Sequence, residues 1–382
     1  MNKTSVREHV LGISADSGRP VEIETWGGRI TAVQESEADP AGVWVAPGLI
    51  DLQVNGFAGV DYNSLNTSLE EIGRSIEAIH STGVTRFLPT VITGPRERMC
   101  GALRNLARAK REIPQGASIA GIHVEGPFIS PDDGPRGAHP REHVRPADRE
   151  EFLAMQEAAE GNIRLLTLAP ETPGATELIE FLVDQGVVVS LGHTGASPEQ
   201  IREAIRAGAT MSTHLGNGAH PILPRHPNYI WEQMAADELY ASFIVDGIHL
   251  PQAFLKCAIR AKGVTRSVLV TDASSPAGCS PGPYRLGEVL VELTPEGRVQ
   301  IAGSQRLAGS ALRLDRAVAN VMRFTGISLN QAWRMASINA ARAVRLEGRM
   351  GFLEPGDMAD FVLFRFDAVR FSVVVDKTIV AA

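Results

Sequence analysis

Cysteine is scarce in this chain: three residues in 382, Cys100, Cys257 and Cys279, widely separated and without a CxxC pair. That excludes a disulfide framework and fits a reducing, cytoplasmic setting, with the three thiols read as packing residues rather than nucleophiles. No apolar run is long enough to span a bilayer, and the opening MNKTSVREHV lacks the apolar segment of a secretion signal. Positive charge is not in excess. With a formal net charge of -7, nothing electrostatic points to nucleic acid or an anionic membrane as a partner. Repeats at solenoid periods and low-complexity segments are missing. So is a GxGxxG turn after an early strand, which a doubly wound nucleotide-binding sheet would carry.

What is present is an ordinary globular balance, 44% hydrophobic and 21% charged, in a chain long enough for one large domain and a smaller one. Residues 1–46 read as short strands broken by turns, with VEIETWGGRITAV as a hairpin turning at Gly27-Gly28. From Pro47 the pattern changes. Apolar strand-like runs, GLIDLQV, TRFLPTVIT, SIAGIHVEG, IRLLTLAPE, VVVSLGHT, ATMSTHLGN, YASFIVDG and SVLVTDAS, alternate with helical stretches such as SLEEIGRSIEAIHSTG, SPEQIREAIRAG and PQAFLKCAIRAKG. Eight such alternations predict an α/β fold, a (β/α)8 barrel of TIM type. GPYRLGEVLVELTPEGRVQIAG reads as an inserted hairpin, followed by helical stretches near SALRLDRAVANVMRF and SLNQAWRMASINAARAVRL. The tail returns to strand character. The expected division is a barrel over 47–345 and a small β domain assembled from 1–46 and 346–382.

The polar residues fall in a telling place. Glu125, His193, His214 and Asp272 each end an apolar run on a different predicted strand. In a barrel those ends converge on one face, where active sites are built. Two imidazoles and a carboxylate suit a divalent metal, and three protein ligands leave a position open for water or substrate. Asp272 can then carry the proton from water to a leaving amine. Any one of these residues alone reads better as a hydrogen-bonded structural group; four on four strands of one barrel do not. His123, two residues before Glu125 and on the same strand face, reads as a supporting or structural residue rather than a ligand.

Beyond the four residues, PGLIDLQVNGFAGVDYN, GIHVEGPFIS, RGAHP, LGHTGAS, THLGN, DGIHL, VTDA, LAGSAL and ASINAARA through GFLEPGDMADFVL occur in this order. Together they resemble the N-acetylglucosamine-6-phosphate deacetylases of the amidohydrolase superfamily from residue 47 nearly to the end. The resemblance implies a barrel with a small β-sandwich domain and hydrolysis of the acetamido group of an amino-sugar phosphate. It implies Glu125, His193 and His214 as metal ligands, Asp272 as general base and acid, and His139 as the residue polarising the acetamide carbonyl. Ala138, Asn217, Gly218, Asp246, Gly247, Ile248, His249, Leu307, Ala308 and Gly309 would line the sugar site. Arg225 stands where the family places a phosphate-binding arginine, and a guanidinium fork suits a phosphate dianion. A homodimer is also implied.

Many amidohydrolases carry His-x-His on the first strand to help hold a second metal. Here the segment is Gln53-Val54-Asn55, and amides are poor ligands beside imidazole, so one divalent ion, Zn²⁺ or Fe²⁺, is expected, with any second ion weaker. The same departure, with Glu125, argues against dihydropyrimidine hydrolysis. The loop after His214 also departs from the family: Gly216-Asn217-Gly218-Ala219-His220-Pro221 and His226-Pro227-Asn228 replace its usual residues. N-acetylgalactosamine 6-phosphate or an unphosphorylated N-acyl compound therefore stay open beside N-acetylglucosamine 6-phosphate. A sugar-binding protein that has lost catalysis is the remaining alternative, and the intact four residues speak against it.

Overall fold

The computed structural model describes residues 8–348 and 351–381. Residues 1–7, part of the opening read for a secretion signal, lie outside them, as do 349–350 and 382 of the C-terminal segment. Eight parallel strands run in sequence order around one sheet: Leu49–Val54, Val84–Ile92, Ile122–Glu125, Ile163–Leu168, Val188–Leu191, Met211–Ser212, Tyr240–Ile244 and Ser267–Val270. A parallel bridge from Val54 to Ala273 joins the last strand to the first and closes the barrel. Each of the eight apolar runs contributes one strand. Every residue of Val84–Ile92 is buried, as expected for a parallel strand covered on both faces.

The helices between strands begin where side chains cap them. Ser68 and Glu71 form a reciprocal capping box on Leu69–His80, and Ser197 with Gln200 does the same on Pro198–Arg206. The stretch SLNQAWRMASINAARAVRL, read as one helical run, is two helices, Leu329–Met335 and Ile338–Ala343. They part at Ser337, whose hydroxyl bonds back to the Trp333 carbonyl (2.6 Å) and competes with continuation of the helix. Trp333 itself is spent on a junction. Its indole donates to Pro47 O (2.7 Å) and its ring stacks on Phe364 at 4.4 Å.

Both ends of the chain meet in a six-stranded sheet. Its strands lie in the order Ser372–Ile379, Phe361–Asp367, Trp44–Pro47, Glu8–Ser14, Pro20–Trp26, Arg29–Glu35. The seam is Trp44–Pro47, antiparallel to the C-terminal strand and parallel to the N-terminal one. Gly27 and Gly28 both have positive φ, 57° and 73°, as a two-residue turn matching the strand twist requires. The inserted segment is a three-stranded antiparallel sheet, Gly282–Leu286, Val289–Leu293 and Val299–Ile301. It buries Leu286, Val291, Leu293 and Val299 in a small cluster with Ile92, at the C-terminal end of the second barrel strand, and Ala308.

The barrel is locked to the small domain by one buried ion pair. Arg86, on the second barrel strand, meets Asp360 with Nε on Oδ2 (2.7 Å) and Nη2 on Oδ1 (3.0 Å), and also donates to Ala381 O (2.8 Å). Asp360 Oδ1 accepts from Ala381 N as well (2.7 Å). Removing one member of such a pair strands the other charge. Asp360→Ala is therefore expected to cost about 3–5 kcal/mol in urea unfolding. A loss below about 1 kcal/mol would show that the pair does not hold the two parts together.

Candidate active site

Glu125 is the last residue of the third strand, whereas His193, His214 and Asp272 stand two residues beyond the fifth, sixth and eighth strands. All three have left-handed backbones, with φ of 51°, 32° and 50°. Such conformations cost on the order of 1–3 kcal/mol for a side-chain-bearing residue and cluster at functional sites. They turn the chain sharply as it leaves the barrel, where these side chains meet at the mouth.

The three expected metal ligands converge. His193 Nε2 lies 3.2 Å and His214 Nε2 3.0 Å from Glu125 Oε1, and the two ring nitrogens are 3.1 Å apart. Donors arranged tetrahedrally at about 2.0–2.1 Å from an ion stand roughly 3.3 Å from one another, so the triangle fits one divalent ion. The tautomer agrees. His193 Nδ1 donates to Pro135 O (2.8 Å), which leaves Nε2 with its lone pair facing the cluster. Burial opposes the charge of Glu125, but the His193 and His214 rings beside it hold its carboxyl well below the usual range. These three residues form a buried group able to hold a metal ion.

His193 is clamped between two glycines. A Cβ on Gly218 would stand 2.8 Å from its Nδ1, and one on Gly137 would stand 3.0 Å from its Cε1, and both glycines have positive φ. A side chain at either position would crowd the ring, and glycine alone adopts these backbones without strain.

Around the cluster lies a cavity of about 290 Å³. Of the residues the sequence assigned to the site, Ala138, His139, Asn217, Gly218, His249, Leu307, Ala308, Gly309 and Asp272 line it with the three ligands. Asp246, Gly247 and Ile248 do not line it. Asp246 instead accepts from the backbones of Ile248 and His249 (2.8 Å each) and bonds His249 Nδ1 (2.7 Å), which aims the ring at the cavity. Arg225 does not line it either. It is exposed on the loop after His214, and no lysine or arginine is among the described residues of the lining. One guanidinium sits at the rim, where Arg306 donates to the carbonyl of the lining residue Gly137 (3.3 Å).

His139 Nδ1 meets Thr93 Oγ1 (2.8 Å), and its Nε2 faces His193 Nε2 at 3.3 Å. Burial, reinforced by the neighbouring His193, pushes its pKa down to about 3, so the ring is neutral. His123 bonds Thr167 Oγ1 (2.8 Å) and lies 3.4 Å from Thr90 Oγ1, so both its ring nitrogens are engaged by threonines. Burial pushes it down to about 4. Asp272 is pushed up to about 6 by burial, with the Glu125 charge adding to it.

Sequence reading missed Thr93, Leu286 and the Gly137 half of the clamp. Leu286 comes from the inserted sheet, where no motif marked it. Thr93 is one hydroxyl among many at a strand end.

A family model described as "Amidohydrolase family" matches residues 44–382. The chain belongs to the amidohydrolase family. Within it, the chain is similar to N-acetylglucosamine-6-phosphate deacetylases. It is 37% identical to the one from Bos taurus over 345 residues, 87% of this chain and 82% of that protein. It is 34% identical to the one from Bacillus subtilis over 331 residues, covering 86% and 82%. Among solved structures, a complex of the Mycobacterium smegmatis deacetylase with N-acetyl-D-glucosamine 6-phosphate superposes with a TM-score of 0.87 at 30% identity, covering 98% of each chain. The Thermotoga maritima enzyme gives 0.84 at 31%, covering 97% of each.

The glycine clamp in this amidohydrolase site makes a prediction. Gly218→Ala should displace the His193 ring and lower metal affinity by roughly 10-fold or more, as loss of a residue supporting a ligand does. Competition with a chelator, followed by metal analysis, measures it. Unchanged affinity would mean the ring has room to move.

Proposed function

We propose that this chain hydrolyses the acetamido group of N-acetylglucosamine 6-phosphate, releasing acetate and glucosamine 6-phosphate. The observation that carries this is the side chain of Asp272, facing the cavity beside three converging metal-ligand atoms, in a chain 37% identical to a deacetylase of that substrate. Glu125, His193 and His214 would hold the ion, and Zn²⁺ and Fe²⁺ both accept two imidazoles and a carboxylate. When bound, a divalent ion supplies Lewis acidity, lowering the pKa of water and polarising a carbonyl.

The chain's own residues do the rest. Asp272 takes a proton from the attacking water as its oxygen adds to the acetamide carbon, then delivers it to the sugar nitrogen as the C–N bond breaks. His139 Nδ1 lies 2.8 Å from Thr93 Oγ1, and with a proton on Nε2 the neutral ring would donate to the carbonyl oxygen. Asn217, Gly218, His249 and Leu307–Gly309 surround the sugar, with Asp246 to Ile248 acting through the aim of His249. Ile92, Leu286 and Ala308 form an apolar wall that keeps bulk water from the reacting bond. Arg225, exposed on its loop outside the cavity lining, would bind the phosphate from there. A homodimer and a cytoplasmic setting complete the assignment. The family resemblance supports the first, and three free cysteines support the second, although of these only Cys100 is buried as packing would require, Cys279 being half-buried and Cys257 exposed on its helix.

A second reading keeps the chemistry and drops the phosphate. It is favoured by the lack of a lysine or arginine among the described residues lining the cavity. A deacetylation screen of N-acetyl hexosamines with and without a 6-phosphate, with added Zn²⁺ or Fe²⁺, separates the two. Preference for N-acetylglucosamine 6-phosphate is the expected result. Equal turnover of the free sugar would overturn the phosphate assignment. Arg225→Ala should raise KM for phosphorylated sugars and leave free sugars unchanged. Asp272→Asn should retain the metal and lose at least about 100-fold in kcat, because an amide cannot accept the proton. Residual turnover near wild type would remove Asp272 from the mechanism.

A further inference from the structure

We infer that Gln53 and Asn55 are positioning residues that tether one oxygen of the Asp272 carboxylate and leave the other presented to the cavity. The inference rests on Asp272 being the proton carrier, as assigned above.

Gln53 and Asn55 flank Val54 at the end of the first barrel strand, so alternation sends both side chains to the inner face. Their amide nitrogens converge on a single atom. Gln53 Nε2 lies 3.1 Å and Asn55 Nδ2 2.7 Å from Asp272 Oδ1. Gln53 Nε2 also donates to Glu125 Oε1 at 2.8 Å, so one NH₂ group spans both carboxylates. An ionised carboxylate only accepts, which fixes which end of each amide faces it. Asp272 Oδ2 has no hydrogen-bond partner among the described residues, yet it is not among the sealed, unpartnered atoms. It remains open in a residue that lines the cavity.

The arrangement is held from behind. Asn55 N donates to Ala273 O (2.7 Å), and Thr271 Oγ1 donates to Asp51 Oδ2 (2.6 Å) and lies 3.3 Å from Gln53 O. One flank of the carboxylate is thus tied backbone to backbone, Ala273 to Asn55, and the other through the Thr271 hydroxyl. The orientation has a visible cost: Asn55 Oδ1 is buried without a partner. Buried polar atoms are ordinarily satisfied, and an orphan calls for an explanation. Here the donor end of the amide is committed to Asp272, and the carbonyl end is left over.

A free carboxylate rotates between equivalent oxygens. Two donors on Oδ1 remove that freedom, and because they are amides they add no charge beside the ligand Glu125. Loss of such positioning is the kind of change that costs up to about 100-fold in rate with little effect on binding.

The test uses the metal-loaded enzyme and four variants: Asn55→Ala, Gln53→Leu, Asp272→Asn, and Asn55→Ala with Asp272→Asn. Asn55→Ala is expected to lower kcat by about 10-fold to 100-fold, with KM within about 3-fold and metal per chain unchanged. In the Asp272→Asn background the same substitution should cost less than about 2-fold, since no carboxylate remains to be oriented. Gln53→Leu keeps the volume and removes the second donor. It should show the same drop in kcat and supplies the measurement should Asn55→Ala fail to fold. An unchanged kcat, a loss of metal from Asn55→Ala, or an equal cost in both backgrounds would overturn the inference while leaving the deacetylase assignment standing. Full turnover by Asp272→Asn would instead overturn the assignment itself.

Discussion

Two carboxylates, Glu125 and Asp272, are buried within hydrogen-bonding reach of one amide nitrogen, that of Gln53. Like charges so placed repel strongly where water is excluded, and the surroundings answer each differently. Glu125 is given two imidazoles and a hydrogen-bond donor, which favour its charged form. Asp272 is given two amides on one oxygen and little else, and burial leaves it easier to protonate. The same residue type thus acquires two characters from its neighbours. One suits an ion's ligand, the other a group that must gain and lose a proton.

That division requires side chains from the first, third, fifth, sixth and eighth strands to meet within a few ångströms, which a closed barrel provides. Closure is completed at the site itself, since the bridge from Val54 to Ala273 lies between the tethering amides and beside Asp272. Stability of the barrel and geometry of the site are therefore coupled at this seam. The left-handed backbones of His193, His214 and Asp272 show the same coupling from another side, because local strain there persists only within a rigid frame.

Much of this was legible in the sequence. Apolar runs such as TRFLPTVIT and SVLVTDAS name their strands because burial on both faces leaves few polar positions, and the strand-end placement of Glu125, His193, His214 and Asp272 follows from the same pattern. The capping serines Ser68 and Ser197 carry local signals that survive folding. Less legible was anything set by approach rather than by chain pattern. Gly137 and Gly218 clamp His193 from two separate loops, Leu286 arrives from an inserted sheet, and Asp246 serves the cavity only by turning His249 toward it. The break at Ser337 was hidden because serine is tolerated in a helix, and its hydroxyl bonds back only where Trp333 is drawn to Pro47 and Phe364. Arg225 shows the converse: a position matched by motif can stand outside the cavity when the loop around it changes.

The pairing of Arg86 with Asp360 also has a temporal side. The two are separated by 274 residues, and the carbonyl of Ala381 that shares the guanidinium comes later still. While the chain is being made from its N-terminus, the second barrel strand emerges early with a cation destined for burial and no counter-charge available. Until Asp360 follows, that guanidinium must keep its water, so burial of this corner of the barrel and docking of the strand after Asp360 are one event rather than two.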